Sequence, residues 1–242
     1  MKRVQFEGGL WITRDGALDI GTQKSAGSGL ENGAAASHFI PTVRNEERAM
    51  DIVSLLLEHG MLDITGPIDA MTSKLITGEL QVVSKILKPR EGVRLYINSP
   101  GGEVSSGLAI YDSMQLLGTP VSTIVNGTAA SMAAILLAGG TRGKRLATPH
   151  SLIMIHQPRV GGLGPTDGTE MDIQNTEMQR CKKRLIAILA AHSGKSVEEV
   201  GKDVERDLWL TAEDALPGRY GPYGLIDKII TAPEAQASGE ED

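Results

Sequence analysis

From Gly127 to Gly139 the chain reads GTAASMAAILLAG, and no charged side chain occurs between Gly127 and Thr141. An uncharged stretch of Ala, Met, Ile and Leu belongs in an interior, and its length predicts a short buried helix. Directly before it, Val121 to Val125 is β-branched and apolar, the composition of a buried strand. A strand feeding a buried helix of this kind is one unit of an α/β fold, so the rest of the chain has to supply neighbouring units. One hydroxyl, Ser131, lies near the N-terminal end of the expected helix, where unpaired N–H groups favour anions and developing oxyanions. Taken alone, a serine there is either a nucleophile or a small residue that permits close packing.

The neighbouring units are legible in order. Residues 46 to 58 carry Met50, Val53, Leu56 and Leu57 at helical spacing, and Met61 to Thr65 reads as a short strand. After Gly66-Pro67, the positions Ile68, Met71, Leu75, Val82 and Ile86 predict one apolar helix face, ended by Lys88-Pro89. Val93 to Asn98 is a strand running into Ser99-Pro100-Gly101-Gly102, followed by a helix with Val104, Leu108, Tyr111 and Leu117 along one face. Ser151 to Gln157 is a strand closed by Pro158, and the glycine-rich segment 159–168 is a loop or irregular edge strand. Met171, Met178, Cys181, Leu185 and Ile188 mark a long helix closed by Gly194, and Ser196 with Glu199 forms a capping box for the next. A short helix is expected from Thr211 and a last strand over Leu225 to Ile230. Both the Asn98–Gly102 and Asn126–Ser131 segments fall at C-terminal ends of strands that feed helices, where α/β proteins build their sites.

Residues 1–37 are of another kind. Val4 to Phe6 and Leu10 to Ile12 flank Gly8-Gly9 as a small hairpin would, and Ser25 to Ser37 reads as a linker or removable leader. The start of the chain is basic but has no apolar segment behind it, so it is not read as a secretory signal. No apolar run approaches the roughly 18 residues that a spanning helix needs. The net charge of −6 argues against nucleic acid as the main partner, and the single cysteine, Cys181, fits a reducing compartment. A cytoplasmic location is expected.

Several chemistries are excluded by spacing. The five histidines are scattered and neither HExxH nor CxxC occurs, so metal binding is poorly supported. Gly139 to Lys144 has the wrong spacing for a phosphate loop, and Ser131 does not sit in a GxSxG elbow. Three residues remain. His156 ends an apolar strand, and a polar ring there needs a hydrogen-bond partner. Asp207 stands between a helix end and the apolar Leu208-Trp209-Leu210. A Ser–His–Asp set works because the imidazole takes the hydroxyl proton while the carboxylate fixes its tautomer. The glycines after the Asn98 strand supply backbone N–H groups for an oxyanion. The residue types permit this arrangement without showing that the three meet.

The stretches LYINSPGGEVSSGLAIYDSMQ (95–115), VSTIVNGTAASMAAILLAGGTRGKR (121–145), MIHQP (154–158), DVERD (203–207) and YGLIDKI (223–229) closely resemble the proteolytic subunit of the caseinolytic (Clp) protease family. The resemblance spans most of residues 39 to 230. It implies Ser131 as nucleophile, His156 as general base, Asp207 as the orienting acid, and the backbone N–H groups of Gly102 and Met132 as oxyanion hole. It implies a crotonase-like α/β spiral of ββα units with a projecting helix-and-strand handle, about 157–194. Residues 1–37 are then a divergent N-terminal extension, a propeptide or axial segment. Residues 38–231 are the serine peptidase domain, and 232–242 an acidic disordered tail. Polypeptide substrates would pair with a strand at Val160, Gly161 and Gly162. The resemblance further implies stacked heptameric rings, a hexameric AAA+ unfoldase as partner, no metal or organic cofactor, and coupling of ring stacking to the triad through Arg206 and the handle. At the expected unfoldase pocket Tyr96 matches, whereas Arg94 and Leu116 replace aromatic residues. A non-catalytic ring subunit is the alternative, and an acyl-CoA enzyme on the same fold has no use for the triad.

Overall fold

The computed structural model describes residues 51–87, 92–159, 167–218 and 223–231, together with the backbone of short strands between residues 4 and 50. The expected linker at 25–37, the substrate strand at Val160, Gly161 and Gly162, and the acidic tail at 232–242 lie outside the described residues. Contacts divide the chain into two units, Met1–His59 and Gly60–Asp242, so the compositional boundary after residue 37 falls inside the first.

In the first unit β1 (Val4–Phe6) pairs antiparallel with β2 (Leu10–Ile12), as the hairpin pattern predicts, and β2 pairs with β3 (Leu18–Ile20). A second antiparallel pair joins β4 (Thr42–Arg44) to β5 (Ala49–Asp51). The helix expected from residue 46 begins only at Ile52, as α1 (Ile52–Glu58). Asp51 sets that start, because its carboxylate accepts the Ser54 N–H at 2.9 Å and caps the first turn.

The second unit alternates strand and helix as expected. The order is β6 (Met61–Thr65), α2 (Ala70–Ile86), β7 (Val93–Ser99), α3 (Val104–Leu116), β8 (Val121–Ala130) and α4 (Met132–Ala138). There follow β9 (Arg145–Ala147), β10 (Leu152–Ile155), α5 (Gly168–Ser193), α6 (Val197–Asp203), β11 (Leu208–Thr211) and β12 (Lys228–Ile229). The main sheet runs β11-β10-β8-β7-β6, parallel throughout except for β11. Ile64, Leu95, Ile97, Val125 and Ile153 are fully buried in these strands, and every residue of α4 is buried too.

Strand β8 is the branch point. One edge pairs with β7, while the other pairs first with β9, through Thr123 to Val125, and then with β10, through Thr128 to Ala130. The change of partner falls at Gly127, whose φ of 107° is open to glycine and strained for other residues. A Cβ there would also meet the Asn98 side chain at 2.6 Å. The sheet thus turns from one layer to the next within a single strand.

Four expectations change. The helix read over Gly127–Gly139 is α4 alone, because Thr128 to Ala130 are held extended between β7 and β10, and Ser131 precedes the helix. On α2 the predicted inner face is largely outside. Met71, Leu75, Val82 and Ile86 are exposed, and Ser73, Ile76, Leu80 and Val83 are buried. The helix at Thr211 is one turn, closed by Ala215 N–H to Thr211 O. The last strand shrinks to Lys228–Ile229, since Leu225 and Ile226 spend their N–H groups on the Ala215 carbonyl. The handle helix α5 forms as expected, capped by Asp167 and ended by Gly194 with φ 81°. Among the described residues no helix is long and apolar enough to cross a membrane.

Arg145 locks the far end of this unit. Its guanidinium donates to Asp227 at 2.6 and 3.0 Å and to the His192 carbonyl at 2.9 Å, joining β9, the approach to β12 and the end of α5. Its side chain is 3% exposed. Burial pushes the Asp227 carboxyl up, but the hydrogen bonds and charge of Arg145 outweigh it and hold the carboxyl below its ordinary value. Removing one partner leaves a buried charge alone, so Arg145→Met is expected to lower stability by about 3 kcal/mol in urea unfolding. A loss under about 1 kcal/mol would mean that the pair behaves as a solvated one.

Candidate active site

Three parallel strands deliver their C-terminal ends to one cleft. Gly101-Gly102 follow β7, Ser131 follows β8 and His156 follows β10. The fourth contributor arrives from the opposite direction. In the antiparallel pair β10–β11, Ile155 stands opposite Leu208, so continuing the register by one residue sets His156 opposite Asp207. The cleft is about 320 Å³, lined by Gly102, Ser131, Met132 and His156 on the polar side and by Leu185, Ile186 and Leu189 of α5 on the apolar side.

Ser131 occupies an elbow rather than a helix. It is the N-cap of α4, with φ 58° and ψ −121°, and among the described residues it is the sole non-glycine at positive φ. Such a conformation costs about 1–3 kcal/mol and persists only where the surroundings fix it. Here they do so from both sides. Ser131 N–H donates to Met154 O at 2.8 Å, and Ser131 O accepts from Ala134 N–H at 3.0 Å. Gly101, at φ 88°, passes so close beneath that a Cβ would lie 2.7 Å from Ser131 Cβ and 2.9 Å from Met132 N. The elbow frees the hydroxyl from capping duty. Ser131 Oγ instead lies 2.8 Å from His156 Nε2.

Gly102 and Met132 both line this cleft. Ile68 N–H donates to Gly101 O at 2.9 Å, and Ile68 O accepts from Glu103 N–H at 2.7 Å. In a parallel bridge those two bonds leave the N–H of Gly102 pointing to the edge away from Ile68. Met132 is the first residue of α4, and its N–H has no acceptor within the helix.

Asp207 is near His156 but not bonded to it. Asp207 Oδ1 is 3.8 Å from His156 Nδ1, and that ring nitrogen is buried without a hydrogen-bond partner among the described residues. An orphaned buried polar atom costs about 1–3 kcal/mol. The carboxylate is engaged elsewhere, in an ion pair with the Arg159 guanidinium. Burial lowers the His156 pKa from its ordinary value, the Arg159 charge lowers it further, and Asp207 opposes both.

Reasoning from residue types missed part of this. Arg159 and the Lys182 brace from the handle were not singled out, and Gly101 was named only as one of a glycine pair. In the brace Lys182 Nζ of α5 donates to Gln157 Oε1 at 2.9 Å and to Glu205 Oε1 at 2.6 Å. Gln157 N–H donates to Val204 O at 2.7 Å, so the residue after His156 is tied to the segment that leads into Asp207. No signal in the sequence joins Lys182 to residues so distant along the chain. Among the described residues, no three His, Cys, Asp or Glu side chains converge as metal ligands would.

Comparison with known proteins places this geometry. The family model described as Clp protease matches residues 44–233. An ATP-dependent Clp protease proteolytic subunit from Porphyromonas gingivalis is 42% identical over 199 residues, covering 81% of this chain and 86% of that protein. On both findings the chain belongs to the Clp protease family.

Proposed function

We propose that this Clp-family chain is a serine endopeptidase that cleaves unfolded polypeptides and short peptides through an acyl-enzyme on Ser131. The observation that carries this reading is the 2.8 Å contact between Ser131 Oγ and His156 Nε2, made on a backbone strained to expose the hydroxyl. His156 Nε2 takes the hydroxyl proton as Oγ attacks the scissile carbonyl carbon. The carbonyl oxygen gains negative charge and is held by the N–H groups of Gly102 and Met132. Collapse of the tetrahedral adduct breaks the C–N bond, and His156 returns the proton to the leaving amine. Water then repeats the sequence on the ester, releasing the acid and restoring Ser131. Asp207 orients the ring and steadies the imidazolium.

Members of this family form oligomeric rings and work with an ATPase partner. For this chain the finer assignment is two stacked heptameric rings in contact through the α5 handles, with the sites inside the chamber and a hexameric unfoldase at the pores. The exposed apolar stripe Met71, Leu75, Val82 and Ile86 supports self-association, since contiguous apolar surface favours a protein partner over water. Val160, Gly161 and Gly162 are assigned to pairing with the substrate backbone, and the location is assigned to the cytoplasm. A non-catalytic ring subunit is disfavoured because the elbow strain and the Ser–His contact have no purpose in one.

Three outcomes are expected. A fluorophosphonate should label the wild-type chain at Ser131, and Ser131→Ala should lose both labelling and peptide cleavage. An unlabelled wild type in every assembly state would sink the reading. Ser131→Gly should be equally inactive yet more stable than Ser131→Ala by about 1 kcal/mol in thermal unfolding, because glycine relieves the positive φ. Because the His156 pKa is lowered, the neutral base survives to more acidic pH. The acid limb of kcat/KM should therefore lie below the ordinary histidine value of about 6.5. A limb above that value would contradict the burial seen at the ring.

A further inference from the structure

We infer that Arg159 is a positioning residue that draws Asp207 away from His156 and so holds the catalytic set open between base and acid. The inference rests on the peptidase reading of Ser131 and His156. Three observations meet at one carboxylate. Arg159 Nη2 binds Asp207 Oδ1, the same oxygen that is nearest to His156 Nδ1. That oxygen remains 3.8 Å from the ring nitrogen, beyond hydrogen-bond reach. The ring nitrogen, buried and unpartnered among the described residues, has this carboxylate as its nearest acidic group. The other half of the set is already closed at 2.8 Å, so the opening is confined to the acid side.

The competition is lopsided because of where the partners lie. Arg159 is 67% exposed and follows Pro158 at the cleft rim, so its guanidinium reaches Asp207 from the solvent side. His156 is fixed from within, its ring 11% exposed and its neighbour Gln157 tied to Val204, Glu205 and Lys182. The other charged groups around the ring have their own places. Lys182 and Glu205 bind each other at 2.6 Å, and Arg206 lines the neighbouring hollow with Asp207. Arg159 is therefore the cation that sets where Asp207 points. Neutral imidazole with its proton on Nδ1 needs a carboxylate there, both to select the tautomer and to stabilise the imidazolium formed during attack. While Arg159 holds the carboxylate, that help is weakened. Release of the exposed guanidinium lets Asp207 close the remaining gap.

The test is the pH dependence of fluorophosphonate labelling in full-length wild type, Arg159→Leu, Arg159→Gln and Arg159→Lys, compared on particles of equal native mass. Phosphonylation of Ser131 needs the neutral base but no particular peptide, so substrate contacts by Arg159 do not enter. Loss of the cation in the Leu and Gln variants should raise the plateau rate about tenfold, within the range general-base alignment supplies. It should also move the acid limb to higher pH, because the Arg159 charge is gone and Asp207 now favours the imidazolium. The two profiles should converge at low pH, a pattern that loss of a merely structural contact would not produce. Arg159→Lys keeps a cation and should return the limb toward the wild-type position. Unmoved limbs in both neutral variants, slower labelling in both, or a Lys variant shifted as far as Leu would each overturn the inference. Labelling that persists in Ser131→Ala would instead overturn the peptidase reading itself, so the two failures are distinguishable.

Discussion

The double-edged pairing of β8 is the constraint on which the site depends. A strand paired along one edge tolerates a shift of register, because its free edge has no partner to contradict it. β8 has partners on both edges, and it exchanges β9 for β10 at Gly127 without leaving β7. Its C-terminal end is therefore fixed against the ends of β7 and β10 together. Ser131 is the first residue beyond that end, and its N–H is captured by β10 at Met154. The position of the hydroxyl relative to Gly102 and His156 follows from sheet hydrogen bonds rather than from contacts within the cleft. This is the kind of rigid support that a reacting group held to a fraction of an ångström requires.

The acid arrives by a different logic. β11 runs antiparallel to β10, so it brings its first residues to the end where β10 stops. That topology allows Asp207 to meet His156 across one further step of the ladder. It fixes the backbone of Asp207 but leaves its side chain, at the edge and 39% exposed, open to a competing cation. Serine and histidine are thus set by the interior of the sheet and the carboxylate by its rim.

The sequence made much of this legible, and the gaps have physical causes. The alternation of strands and helices was readable because each central strand buries an apolar face, β8 and β10 most of their length, and α2, α3 and α5 run for several turns. The residues Ser131, His156 and Asp207 were nameable as types, but their meeting depends on register, which no local pattern encodes. Ala129 and Ala130 read as helical because alanine favours helix and has no strand signature. Their extended form is imposed by β7 and β10, an override of intrinsic preference by tertiary pairing. β9 was invisible at three residues. On α2 both faces carry apolar residues, so periodicity alone chose the outer one; the buried face includes Ser73, which a hydrophobic pattern passes over. Arg159 looked like a loop residue and gave no sign of its partner.

The strained elbow also limits which amino acids the chemistry has to choose from. Threonine carries the same hydroxyl as serine, yet its branched Cβ makes a φ near 58° a severe outlier. Gly101 presses on the same Cβ from below, so an added methyl group there has little room to turn away. Of the two aliphatic hydroxyl side chains, the backbone at position 131 accepts the unbranched one and disfavours the other before any bond is made or broken. The identity of the hydroxyl at position 131 is in that sense a property of the main chain, decided where one strand ends and one helix begins.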